Sequence, residues 1–281
     1  MEWARDLSSW SLPDLSRRVP LAPHRWHIQE SGTGPTLLLL PGAGASVHTW
    51  RGLIPALAET HHVVAIDLPG QGFTQSPSAT RSGLEETVAD ITALLASENW
   101  QPSAIIGHSA GAAIALGLSK TCGTEKIVGI NPALDRFDGV AGWLFPVIAK
   151  LLALNPFTAN VFALGATSSR ARRLIKGTGS NISDNDLAYY TRLTGDRNHV
   201  NGALQMMANW NLDTLLADLP SIETEILFLT GSNDQAVPPD VAERAAARLP
   251  NARVRKLDGL GHLAHEEDPD RVLAEIKAFL A

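Results

Sequence analysis

The chain has 281 residues, 44% of them hydrophobic and 19% charged, enough apolar content to bury a sizeable core in one compact unit. A net charge of −6 without any basic block excludes nucleic acid as an expected partner. The single cysteine, Cys122, excludes an internal disulfide and points to a reducing compartment. The polar start Met1-Glu2-Trp3-Ala4-Arg5-Asp6 lacks the apolar run of a secretion signal, and no stretch reaches membrane-spanning length. The expected location is the cytoplasm.

Strand-like and helical patterns alternate along the chain. Residues 25–29 read as an edge strand, and the wholly apolar run at 36–40 as a buried parallel strand. Residues 62–68 form the next strand candidate. Ser82-Gly83-Leu84-Glu85 then resembles a capping box that opens a helix through Ser97. Further strands are expected at 103–106, 126–130, 225–230 and 253–257. Pro238-Pro239-Asp240 and Asp268-Pro269-Asp270 read as helix starts. Strands separated by helices imply right-handed crossovers and a mostly parallel central sheet flanked by helices.

Residues 131–218 break the alternation, with helical patterns and no clear strand. The expected organisation is a core of residues 1–130 and 219–281 with a helical lid, 131–218, inserted between core strands. Packing onto the core accounts for most apolar positions of such a lid, while its inner face roofs the site. Trp143, Phe145, Phe157, Phe162, His199, Met206 and Trp210 are the pocket candidates. For His199 the ordinary alternative is surface exposure, and for the aromatics and Met206 it is core packing.

The chemistry centres on Gly107-His108-Ser109-Ala110-Gly111, which follows a short apolar strand and precedes a helical run. In that context G-x-S-x-G is a nucleophile elbow, in which a strained turn lifts the serine hydroxyl clear of the sheet. The two glycines leave room for strand and helix to approach, and the helix start presents free N–H groups to a developing oxyanion. A serine nucleophile needs a base, and the base an orienting acid. Asp234 follows the apolar strand 225–230, and His262 lies in a glycine-rich loop after the last strand. His265 sits nearer the entry to the final helix, and Asp258 precedes the histidine too closely to orient it. A turn-capping role for Asp234 is the ordinary alternative. The loop Pro41-Gly42-Ala43-Gly44 supplies the second oxyanion donor, which places the two donors at Ala43 and Ala110.

Other motifs carry less. Asp67-Leu68-Pro69-Gly70-Gln71-Gly72-Phe73 lacks the G-x-G-x-x-G spacing, so its glycines serve a turn rather than a phosphate. His61 and His62 point to opposite faces of a strand and cannot easily share a metal. His108 is expected to pack beside the nucleophile. No metal and no cofactor are expected.

Through the elbow, Asp234 and His262, the chain resembles the α/β-hydrolase superfamily. It is also similar to a narrower family, the magnesium chelatase accessory proteins (30 kDa subunit) encoded with bacteriochlorophyll-biosynthesis genes. The matching pieces include Trp26-His27-Ile28-Gln29, Gly44-Ala45-Ser46-Val47-His48-Thr49-Trp50-Arg51 and the 67–74 loop. Gly177-Thr178-Gly179-Ser180, His199-Val200, Met206-Met207-Ala208-Asn209-Trp210 and Gly261-His262-Leu263-Ala264-His265-Glu266-Glu267 complete them. Pro41 departs from the histidine common there in hydrolases. The resemblance implies a role near magnesium insertion into protoporphyrin, with a porphyrin-pathway small molecule as substrate and chelatase subunits as partners. It names no reaction, and the G-x-x-x-x-G-K-[ST] of an ATPase is missing. The leading expectation is a serine hydrolase acting on an ester or related acyl bond. The alternatives are a non-catalytic porphyrin-binding accessory protein and a subunit that only contacts a chelatase component.

Overall fold

The computed structural model describes residues 1–77, 81–135, 163 and 165–281. Their strands are β1 (Ser16–Leu21), β2 (His24–Ser31), β3 (Thr36–Leu40), β4 (His62–Ile66), β5 (Pro102–His108), β6 (Lys126–Ile130), β7 (Glu225–Gly231) and β8 (Ala252–Leu257). They form one sheet in the order β1-β2-β4-β3-β5-β6-β7-β8. The β1–β2 and β2–β4 pairings are antiparallel, and every other pairing is parallel.

The sheet has one strand more than the pattern predicts at its N-terminal edge. Ser16-Arg17-Arg18-Val19-Pro20-Leu21 buries Val19 alone, so it carries no apolar alternation to read. Pro20 cannot donate to a ladder and is tolerated because β1 is the edge. The segment expected at the edge, residues 25–29, is instead covered on both sides by β1 and β4.

Apolar runs in β3 to β7 are buried because helices cover both faces of the sheet. Leu38, Leu40 and Ile105 join the cluster under the helices Leu84–Ser97 and Ala110–Cys122, with Ile91, Leu94, Ile114 and Leu118. Leu37, Leu39 and Ile106 face the other way, toward Val272, Ile276 and Phe279 of the C-terminal helix Pro269–Leu280. Each such buried leucine or isoleucine stabilises the fold by about 1.5–3 kcal/mol. Asp268 caps that last helix by accepting from the Arg271 N–H at 3.1 Å, as its sequence implies.

The expected capping box at Ser82 does not form. The helix begins at Leu84 with Gly83 at the cap and no side-chain cap bond, and the Ser82 hydroxyl accepts from Asn209 Nδ2 at 2.9 Å. A tertiary partner has taken the oxygen that the local motif would use.

Between β6 and β7 the described residues hold helices and no strand: Ser168–Gly177, Asp184–Thr194, Arg197–Asn209 and Asp213–Asp218. Ala171, Ile175, Ile182, Leu187 and Tyr190 of this insertion cluster with Ala45 and Leu263, both in loops at the C-terminal ends of the parallel strands. Among the described residues no helix is long and apolar enough to cross a membrane.

Candidate active site

Ser109 stands between β5 and the helix Ala110–Cys122 at φ 52 and ψ −114. A non-glycine residue with positive φ is strained, and its surroundings hold it there. Its N–H donates to Ile130 O at 2.9 Å, while its carbonyl accepts from Ala112 N and Ala133 N. The flanking glycines are needed for close approach. A Cβ on Gly107 would stand 2.3 Å from Gly111 O, and one on Gly111 2.1 Å from Leu40 O.

Asp234 and His262 meet, although 28 residues separate them. Asp234 Oδ2 accepts from His262 Nδ1 at 2.7 Å, and both residues are buried. The Oδ1 atom accepts from the N–H groups of Ala236 and Val237 at 2.8 and 2.9 Å. One Asp234 oxygen thus caps the turn and the other accepts from the His262 ring. With Nδ1–H donated, the neutral ring keeps Nε2 as an acceptor. Among the described residues no hydrogen bond joins the Ser109 hydroxyl to His262.

The competing groups are otherwise engaged. His265 packs against Trp50, and its Nε2 lies 2.6 Å from Thr49 Oγ1. Burial and the Arg51 charge push it down to about 3, so it stays neutral. His108 donates Nε2–H to His262 O at 2.9 Å, and its ring lies 4.7 Å from that of His262. It packs beside the nucleophile and supports the histidine loop. Asp258 is exposed.

The loop after β3 lies on the elbow: a Cβ on Gly42 would be 3.2 Å from Ser109 Cβ. A turn closed by Ala45 N–H to Gly42 O at 3.1 Å, with Gly44 at φ 79 in third place, has type II geometry. Among the described residues the N–H groups of Ala43 and Ala110 have no acceptor, while those of Gly44, Ala45 and Ser109 are bonded. Pro41 lacks a backbone N–H of its own but leaves that of Ala43 in place.

His199 is buried, not exposed, and it is no free pocket wall. Its Nδ1 accepts from Gly72 N–H at 2.9 Å, and its Nε2 lies 3.1 Å from Gly44 O. Met206 and Trp210 pack with the main core cluster, and Met206 Sδ accepts from Gln71 Nε2 at 3.1 Å. Trp143, Phe145, Phe157 and Phe162 lie outside the described residues. A cleft of about 360 Å³ between loop 69–77 and Asn198, Asn201, Gly202 and Gln205 does not include Ser109, Asp234 or His262 in its lining.

Three supports escape sequence reading. Asn131, at φ 44 just past β6, donates Nδ2 to the carbonyls of Gly261 and His262 and accepts from Gly231 N–H at 2.7 Å. It thereby fixes the histidine loop to the end of β7. From the insertion, Thr178 O accepts from Gln235 N at 3.1 Å and from His262 N at 3.4 Å, and Ser180 Oγ accepts from Leu263 N. The run Gly177-Thr178-Gly179-Ser180 is thus a strap across the acid and histidine loops. Behind it, the buried Glu266 carboxylate accepts from Thr49, Arg51 and Tyr190. The signal for Asn131 was a polar residue at the end of a buried strand, which by itself does not name a partner.

The fold agrees with comparisons to known proteins. A family model described as "Alpha/beta hydrolase family" matches residues 37–275. The chain is 43% identical over 276 residues to a protein named "Magnesium-chelatase 30 kDa subunit" from Rhodobacter capsulatus, covering 97% of each. It is 24% identical to "2-hydroxymuconate semialdehyde hydrolase" of Pseudomonas sp. (strain CF600), covering 96% of this chain and 95% of that one. Among solved structures, the epoxide hydrolase CorEH superimposes with a TM-score of 0.81 at 21% identity, over 94% of this chain and 98% of the other. That likeness concerns the fold. The chain belongs to the alpha/beta hydrolase family and, within it, to the family of the magnesium-chelatase 30 kDa subunit.

Proposed function

We propose that this protein is a serine hydrolase acting on an ester or related acyl bond. The observation that carries the reading is the buried Asp234–His262 hydrogen bond of 2.7 Å, formed in loops at the same sheet edge as the strained Ser109. Ser109 Oγ attacks the carbonyl carbon and its proton passes to His262 Nε2, while Asp234 orients the ring and stabilises the imidazolium. The N–H groups of Ala43 and Ala110 receive the oxyanion. The imidazolium then protonates the leaving alcohol, and water, deprotonated by the same nitrogen, releases the acid from the acyl-serine. Residues 131–218 act as the lid over this centre.

We read the substrate as a porphyrin-pathway metabolite, with chelatase subunits as partners in the cytoplasm; the similarity to a magnesium-chelatase subunit supports this reading. That same named relative favours a second reading, a porphyrin-binding accessory protein with an idle triad. A fluorophosphonate probe followed by peptide mass spectrometry separates the two. Labelling at Ser109, absent in Ser109→Ala, supports the hydrolase. A folded protein that stays unlabelled while protoporphyrin quenches its tryptophan fluorescence at micromolar concentration supports the accessory role.

A further inference from the structure

We infer that Gln71 and the insertion residue His199 are positioning residues for the oxyanion donor Ala43, so that the hole is complete only while the helix Arg197–Asn209 is seated. The inference rests on the hydrolase reading and names what regulates that site.

The Ala43 N–H shares a planar trans peptide with the Gly42 carbonyl. That carbonyl is turned toward Ala45 N–H, so the Ala43 N–H points the opposite way, out of the turn. The turn persists only if Gly44 keeps φ 79, a value glycine reaches readily but does not hold by itself. A Cβ on Gly44 would meet nothing within 4 Å, so packing does not hold it either. Hydrogen bonds do. Gly44 N–H donates to Gln71 Oε1 at 2.6 Å, and Gly44 C=O accepts from His199 Nε2 at 3.1 Å.

Both clamps lead to the same helix. His199 lies on it, and Gln71 donates an Nε2–H to Met206 Sδ, also on it. Because Gly72 N–H donates to His199 Nδ1, the ring must carry its proton on Nε2 to serve Gly44. One neutral tautomer therefore joins the oxyanion turn, the 67–73 loop and the insertion. Gln71 is wholly buried and His199 nearly so, which leaves water no easy route to replace either bond.

The test measures the second-order rate of Ser109 labelling by a fluorophosphonate, whose phosphoryl oxygen uses the same donors. His199→Phe and Gln71→Met remove one clamp each at similar size. Both should slow labelling about 10- to 100-fold, the range for a displaced oxyanion donor. His199→Gln has an amide that donates and accepts, and it should restore the rate to within about fivefold. With p-nitrophenyl acetate as probe ester, the loss should fall on kcat with KM within about twofold. Wild-type labelling rates in a folded His199→Phe or Gln71→Met, or a His199→Gln as slow as the phenylalanine variant, overturn the inference alone. If His199→Phe does not fold, Gln71→Met decides. A wild-type protein that resists the probe overturns the hydrolase reading and this inference with it.

Discussion

Gly202, in the middle of the helix Arg197–Asn209, rests on Gly70 so closely that a Cβ on Gly202 would stand 2.1 Å from the Gly70 carbonyl oxygen. Gly70 has φ 74 and belongs to the loop that carries Gln71. The contact sets how closely the insertion helix approaches the loops at the sheet edge.

Glycine inside a helix costs about 0.5–1 kcal/mol relative to alanine, so Gly202→Ala would ordinarily stabilise. Here the new methyl meets backbone on a different element, and overpacking of this kind costs about 1–3 kcal/mol. The expected outcome is a net loss of about 1–2 kcal/mol, read as a lower urea midpoint at unchanged slope. A midpoint above wild type would show that the helix can lift away freely.

Asp234→Asn keeps an oxygen for the Ala236 and Val237 N–H groups but can no longer hold Nδ1–H of His262 as a carboxylate does. A ring in the wrong tautomer presents N–H, not a lone pair, to the serine. Labelling of Ser109 should fall by about 10³–10⁴, with an unchanged circular dichroism spectrum. A drop of less than tenfold would remove Asp234 from the relay.

Acid should weaken the fold through two buried histidines. Burial, helped by the Met1 ammonium, pushes His199 down to about 4 against the hydrogen bond to the Gly44 carbonyl and the fields of Asp67 and Asp196. Burial, helped by Arg51 and His262, pushes His265 to about 3. A folded value below the unfolded one of about 6.5 means that the unfolded chain binds the proton first. Their contribution is whole above about pH 6.5 and is lost as pH falls from there toward 4 and 3. Each histidine costs up to about 1.4 kcal/mol per pH unit in that window. Urea unfolding at pH 7.5, 6 and 5 should show a falling midpoint, and His199→Gln should flatten the slope.

Asn131 separates a hydrogen-bonding role from a backbone one. Asn131→Ala leaves the Gly231 N–H without its acceptor and puts alanine at φ 44, costing about 2–4 kcal/mol in all. Asn131→Gly loses the same bonds without the strain at φ 44. It should be about 1 kcal/mol more stable than the alanine variant by urea unfolding, and equal stability would mean that the hydrogen bonds account for the whole effect.

Along the chain the elbow and the buried apolar runs are legible, while the edge strand and the Ser82 cap are not. Gly107, Ser109 and Gly111 were legible because an elbow constrains φ, ψ and Cβ space within five residues. Strands β3 to β7 were legible because burial on both faces leaves an apolar run. β1 was not, since an edge strand with one buried residue and Pro20 has no such run. Ser82 was misread because its cap oxygen is taken by Asn209, 127 residues away.

The sequence by itself determined the architecture and the chemical types at hand: a serine on an elbow, an aspartate and a histidine at later strand ends, and a long insertion. Tertiary structure alone decided that Asp234 meets His262 across 28 residues, and that His199 closes on Gly44 across 155. It also turned Thr178–Ser180 into a strap over both loops. The reason is physical. Backbone conformation and hydrophobic periodicity act over a few residues and can be read in order. A hydrogen bond between distant loops exists only once sheet register and the seating of the insertion have brought donor and acceptor within 3 Å or so of each other.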